Sequence, residues 1–149
     1  TDLRDDLHKQ VRKALESGAR LVYGGEIPSL EGAFYKPTIL ENISSDNPAY
    51  YEEFFGPVAM LLKAKNEKEA LALANDSHFG LGAAVFTSNV EHGIQIAKKE
   101  FEAGNCFVNA LVKSDPRLPF GGIKTSGFGR ELSQFGIFEF VNIKTVYVK

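Results

Sequence analysis

Residues 58–109 read VAMLLKAKNEKEALALANDSHFGLGAAVFTSNVEHGIQIAKKEFEAGNCFVN, and their patterning decides the fold class. Val58–Ala64 is short and mostly apolar, as a buried strand is. In Asn66-Glu67-Lys68-Glu69 a side-chain oxygen can accept from the first free N–H groups of a helix, with an acid three residues on. This predicts a helix running to about Asn75. Ala83–Thr87 reads as a second strand. Ser88-Asn89-Val90-Glu91 repeats the capping pattern, Ile94, Ala97 and Phe101 mark the buried stripe of the helix it opens, and Gly104 ends it. Cys106–Asn109 is a third strand. Strand–helix–strand–helix–strand in this order predicts an α/β fold with a parallel open sheet covered by helices.

The flanks are less regular. Leu3, Leu7, Val11 and Leu15 recur every four residues with Ala14 beside them, one face of an amphipathic helix that Gly18 stops. Arg20–Tyr23 reads as a short strand, and residues 24–57, rich in Gly, Pro, Asn and Ser, mostly as loop. Downstream, Ser114–Arg130 holds Gly121, Gly122, Gly127 and Gly129 and two prolines, and reads as one long loop. Loops longer than about 12–15 residues are usually functional or disordered. Leu118, Phe120, Ile123 and Phe128 give this one enough apolar content to be ordered. Gly136–Phe140 suits a helical turn. Val141–Val148 alternates as a terminal strand, with Val141, Ile143, Thr145 and Tyr147 on one face.

At 149 residues the chain fits one domain with a real core. Net charge is −2 and no Lys/Arg block stands out, which argues against nucleic acid or an anionic membrane as partner. A membrane-spanning helix needs about 20 consecutive apolar residues, and Val58–Leu62 and Gly80–Phe86 are far shorter. A lone cysteine, Cys106, rules out a disulfide framework within the chain and fits a cytoplasmic setting. The polar start, Thr1-Asp2-Leu3-Arg4-Asp5-Asp6, is unlike a signal peptide and lacks an initiator Met. It reads as a cut inside a longer chain, or as processing of a mature protein.

Generic motifs of catalysis fail. Gly127-Phe128-Gly129 is followed by Arg130-Glu131-Leu132 where a dinucleotide fingerprint needs a third glycine, and Gly80-Leu81-Gly82 precedes a strand instead of following one. His8, His78 and His92 stand apart in sequence, and no His/Cys/carboxylate cluster has metal-ligand spacing. Cys106 sits in an apolar strand with no neighbouring base, so it reads as a packing residue and not as a thiolate nucleophile.

Three further segments act together: Glu52-Glu53-Phe54-Phe55-Gly56-Pro57-Val58, Ala103-Gly104-Asn105-Cys106-Phe107-Val108-Asn109, and Pro119-Phe120-Gly121-Gly122-Ile123-Lys124-Thr125-Ser126-Gly127-Phe128-Gly129-Arg130-Glu131. In their order and separation they resemble the C-terminal region of the NAD(P)-dependent aldehyde dehydrogenase superfamily, from near residue 1 to the closing Lys144–Lys149. Val112–Phe120 is similar to the bacterial succinate-semialdehyde dehydrogenase branch.

The resemblance implies that residues 1–140 are the C-terminal portion of a catalytic domain and residues 141–149 an oligomerisation strand that joins a sheet in a neighbouring subunit. It implies a parent enzyme whose cysteine thiolate attacks an aldehyde, whose cofactor, NAD or NADP, accepts hydride, and whose glutamate activates water. The nucleophile, base and most of the cofactor site of that family lie upstream of the matched segments. The chain alone is therefore expected to be inactive, and no residue of it is assigned as catalytic.

Among the residues present, Glu53 matches the glutamate that binds the nicotinamide-ribose hydroxyls, and Phe55 an aromatic beside the nicotinamide. Phe120 matches an aromatic of the substrate tunnel. Ser114 and Arg117 lie in the loop that reaches that tunnel, where a hydroxyl and a guanidinium suit a substrate with a distal carboxylate. Each has a plain reading beside this one: Glu53 a solvated acid, Phe55 and Phe120 ordinary packing, Arg117 a surface charge. Arg130 and Glu131 are expected to hold the loop. The expected partners are a small aldehyde and further copies of the chain. The alternative is a free-standing, non-catalytic oligomerisation or interaction module with the same fold.

Overall fold

The structure, a computed structural model, describes residues 1–149. The chain forms two compact units, Thr1–Lys65 and Asn66–Lys149.

The first unit begins with α1, Asp2–Glu16, which buries Leu7, Val11 and Ala14. Leu3 is 74% exposed and Leu15 only half-buried. The four-residue periodicity therefore over-reaches at both ends. A helix turns every 3.6 residues, so each four-residue step drifts by about 40°, and the buried stripe follows Leu7-Val11-Ala14 instead. Ser17 ends the helix. Gly18 takes φ +100°, its N–H donates to Leu15 O at 3.1 Å, and Ala19 N–H donates to Ala14 O at 3.0 Å, a Schellman-type stop.

Three strands follow. β1 (Arg20–Tyr23) pairs antiparallel with β2 (Thr38–Glu41), and β2 pairs parallel with β3 (Val58–Leu61), so β2 is central. Residues 24–57 are mostly irregular, as their composition predicts, but β2 and a 3-10 turn, Pro48–Tyr50, lie inside them. Thr38-Ile39-Leu40-Glu41 is too short to declare a period and follows Pro37, yet it carries the core. Leu40 is fully buried among Val11, Ala14, Ala19, Ile43 and Ala49, with Phe54, Val58 and Met60 packed on that cluster.

Asn47 ties this unit together. Its amide donates to Ala14 O at 2.9 Å and Ser17 O at 3.2 Å, satisfying two carbonyls at the end of α1. Its Oδ1 accepts from Ala49 N–H at 3.0 Å and so caps the 3-10 turn. The residue is 2% exposed.

In the second unit α2 spans Glu67–Asn75, and Asn66 Oδ1 accepts from Glu69 N–H at 2.9 Å as the capping pattern predicts. Two short strands come next, β4 (Phe79–Gly80) and β5 (Gly82–Val85). α3 (Val90–Lys99) is capped by Asn89, which accepts from His92 N–H at 3.1 Å, one residue later than a cap by Ser88. Its fully buried positions are Gly93 and Ile96, with Ile94, Ala97 and Phe101 half-buried. The helix closes at Glu100, where both Glu100 and Phe101 donate to Ile96 O, so Gly104 is not its terminator. β6 (Asn105–Val108) pairs parallel with β5, from Gly82↔Asn105 to Val85↔Val108. β7 (Ile123–Lys124) lies inside the glycine-rich loop and pairs antiparallel with β4, and α4 spans Ser133–Phe138.

One expectation is corrected. The strands of residues 58–109 do not share one parallel sheet: β5 pairs parallel with β6, whereas β3 pairs parallel with β2, in a sheet that is mixed because β1 joins it antiparallel. A short apolar strand gives its existence away, but not its neighbour. Residues 141–149 pair with no strand of this chain, and Ile143 and Tyr147 are 81% and 82% exposed. Alternation is a property of one segment; a ladder needs two.

Replacing Asn47 removes the cap of the 3-10 turn and the donor to Ser17 O, while Ala14 O keeps the N–H of Ala19. Asn47→Ala is expected to lower stability by about 1–3 kcal/mol, read as a lower urea midpoint, whereas Ser45→Ala, at an exposed site, is expected to lower it far less.

Candidate functional site

The segment between the 3-10 turn and β3 separates neighbouring side chains of like chemistry. Glu52 is taken up by α1: Gln10 donates to it at 3.3 Å and Lys13 pairs with it at 3.4 Å. Gln10 also donates to the backbone carbonyl of Glu53 at 3.3 Å, which fixes the chain while the Glu53 side chain stays at the surface. The two phenylalanines divide likewise. Phe54 packs on the core cluster and Phe55 is 72% exposed. Two tight turns produce this alternation, Gly56 N–H to Phe54 O at 2.9 Å and Val58 N–H to Gly56 O at 2.8 Å, and Thr38 N–H to Pro57 O at 2.8 Å joins the segment to β2. Phe55 is therefore not a packing residue of this chain. It offers a bare ring face next but one to a carboxylate that only accepts hydrogen bonds.

The second unit carries Ser114, Arg117 and Phe120. Asp115-Pro116-Arg117-Leu118 is a β-turn closed by Leu118 N–H to Asp115 O at 2.9 Å, with Asp at the first position and Pro at the second, as such turns favour. Arg117 is not a free guanidinium. Asp115 Oδ1 accepts from Arg117 Nε and from its backbone N–H, both at 2.9 Å, and Oδ2 accepts from Nη2 at 2.6 Å. These bonds from Arg117 hold the Asp115 carboxyl at about 2, below the usual carboxylate range, with Lys113 adding a smaller pull. Asp115 in turn holds the Arg117 guanidinium above its ordinary value. Nothing in the sequence marks Asp115 beyond its place before a proline, yet it decides what Arg117 can do. Ser114, just before the turn, is exposed.

Phe120 is half-buried and held at its backbone. Its N–H donates to Glu131 O at 2.9 Å, and Glu131 N–H returns to Phe120 O at 2.7 Å. Arg130 Nη1 donates to Gly122 O at 3.1 Å and Gly129 O at 2.6 Å. Glu131 through its backbone and Arg130 through its guanidinium both brace the loop.

Cys106 lies half-buried in β6, its thiol directed to Ala103 O at 3.7 Å, and burial pushes the thiol up from its ordinary value. No basic group holds it as a thiolate. His8 bonds Tyr35 OH at 3.1 Å and His92 pairs with Glu67 at 2.7 Å. The chain thus offers contact groups for a ligand, and its one thiol is not poised as a nucleophile.

The aldehyde dehydrogenase family model matches residues 2–146. A succinate semialdehyde dehydrogenase [NAD(P)+] of Escherichia coli K12 is 51% identical over 146 residues, covering 98% of this chain and 31% of that protein. A succinate-semialdehyde dehydrogenase [NADP(+)] of Deinococcus radiodurans is 47% identical over 141 residues, 95% of this chain and 29% of the relative. Among solved structures, succinic semialdehyde dehydrogenase from Streptococcus pyogenes in complex with NADP+ superposes with a TM-score of 0.95 at 47% identity, over 99% of this chain and 32% of that one. The chain spans about a third of the length of these relatives.

Two outcomes follow from the charges. The Asp115 carboxyl is expected to titrate at about 2 in a carboxyl-resolved NMR titration, and Arg117→Ala to return it to the ordinary range. Because the folded value is depressed, whatever the pair adds to stability is present above the ordinary carboxylate range and is lost as pH falls toward the folded value. Iodoacetamide at neutral pH is expected to label Cys106 more slowly than a free cysteine peptide, since only the thiolate reacts; labelling at the peptide's rate contradicts the raised thiol.

Proposed function

The chain belongs to the aldehyde dehydrogenase family, and from that membership we propose that it forms the C-terminal part of an NAD(P)-dependent enzyme oxidising succinic semialdehyde to succinate. The observation that carries the reading is the match, along nearly the whole chain, to enzymes named for that aldehyde. The net reaction takes aldehyde, water and NAD(P)+ to acid, NAD(P)H and a proton, and the cofactor, when bound, supplies the hydride acceptor.

The residues present suit that cofactor. Glu53 is an exposed carboxylate on a fixed backbone, able to accept from a pair of ribose hydroxyls, and Phe55 is an exposed ring able to cover a planar heterocycle. Phe120 lines the substrate passage. Ser114 donates its hydroxyl to the distal carboxylate of the semialdehyde. Arg117, whose Nε and Nη2 are taken by Asp115, offers that carboxylate a single guanidinium nitrogen, Nη1, and not a bidentate clamp. Cys106 lies half-buried in β6 and not at the family's nucleophile motif, so this chain alone is expected to give no turnover. Residues 141–149 serve as an oligomerisation strand for a neighbouring copy; their exposed apolar side chains support that role.

The same exposed run favours a second reading, a non-catalytic interaction module. A coding frame continuing upstream through a cysteine-bearing segment favours the enzyme, and one starting near Thr1 favours the module.

The test is NAD(P)H formation with succinic semialdehyde. The intact protein is expected to turn over and residues 1–149 alone to give none. Turnover by residues 1–149 above contaminant level overturns the expected inactivity of this chain and makes Cys106 the residue to replace, whereas no turnover by the intact protein overturns the assignment. In the intact protein, Glu53→Gln is expected to raise the cofactor KM about tenfold, the loss of roughly one charge-assisted hydrogen bond, with the aldehyde KM nearly unchanged.

A further inference from the structure

We infer that Asn105 is a positioning residue for the aldehyde: its side-chain amide fixes the Gly121–Gly122 peptide and so helps to set the place of the Phe120 ring just before it. The inference rests on the reading of Phe120 as a substrate contact.

Asn105 opens β6 and is 9% exposed. Both hydrogens of its amide are used, one on Leu81 O at 2.7 Å and one on Gly121 O at 2.9 Å. Because both partners are carbonyls, the amide has one workable orientation. Its backbone N–H also donates to Leu81 O, at 3.1 Å, so the side chain leaves a pinned main chain.

The carbonyl it holds is one of three in a row, each with its own donor. Phe120 O receives Glu131 N–H at 2.7 Å, Gly121 O receives Asn105, and Gly122 O receives Arg130 at 3.1 Å. Glu131 and Arg130 come from the far end of the same loop. Asn105 alone of the three comes from the β5–β6 ladder. An independent feature lies at the same carbonyl: a Cβ on Gly104 would fall 1.9 Å from Gly121 O, so the loop approaches β6 only because residue 104 has no side chain. Gly104 clears the space and Asn105 supplies the donor. Without that donor, Gly121 O is left in a poorly solvated place, and a shift of about 1 Å at a binding group is enough to cost up to ~100-fold in rate.

The experiment uses the intact protein with Asn105→Asp, which keeps the shape but turns oxygens toward both carbonyls, and Asn105→Ser, which keeps one donor. The aldehyde KM is expected to rise about 10–100-fold in Asn105→Asp and less in Asn105→Ser, with the cofactor KM within about twofold of wild type. Deuterium exchange at amides 120–124 is expected to quicken while that at 38–41 is unchanged. An unchanged aldehyde KM, or a joint loss of kcat, both KM values and protection throughout the fold, overturns the inference, the latter marking Asn105 as merely structural. If wild type oxidises no aldehyde, the functional reading falls and takes the substrate role with it, whereas unaltered exchange at 120–124 defeats the loop-holding role by itself.

Discussion

A backbone carbonyl that leaves a helix or strand in a buried place must find a donor, and in each unit of this chain a buried asparagine provides it. Asn47 reaches back some thirty residues to Ala14 and Ser17 at the end of α1, and Asn105 reaches both Leu81 and Gly121. A hydrogen bond adds only about 1 kcal/mol net, but an unpaired buried carbonyl costs about 1–3 kcal/mol. These amides therefore act less as glue than as conditions on where the chain can run. The order of α1, β2 and the 3-10 turn in the first unit depends on one of them, and the path of the glycine loop in the second depends on the other.

That framework produces surface groups of particular chemistry by turning adjacent residues opposite ways. Glu52 is consumed by Lys13 and Gln10 while Glu53 is not, and Phe54 enters the core while Phe55 faces outward. In the second unit the Asp115–Arg117 pair balances charge beside Ser114, so the turn presents a hydroxyl next to a neutralised ion pair.

What the sequence discloses follows the range of each interaction. The asparagine caps at Asn66 and Asn89 act within three residues, and the first is legible in the letters while the second is displaced by one. The turn at Gly18 and the apolar strands β3, β5 and β6 are also local, and they are found with shifted ends. β2 is missed because four residues show no period, although Leu40 is the most enclosed large side chain of the core. Asn47 and Asn105 look like ordinary polar residues until the carbonyls they meet are known. Glu53 and Phe55 stand out only through a motif; no pattern of spacing separates them from Glu52 and Phe54. The pairing of Arg117 with Asp115 is two residues long, yet neither residue type announces it.

The closeness of Gly104 to Gly121 restricts how such a chain can diversify. With backbone oxygen where a side chain at 104 would begin, position 104 is closed to every other residue unless the loop moves as well. Sequence change is thus channelled away from the floor of the loop and onto exposed side chains such as Ser114 and Leu118, which can change size or charge without moving the backbone. The tight contact confines novelty to the exposed side chains and leaves the fold alone.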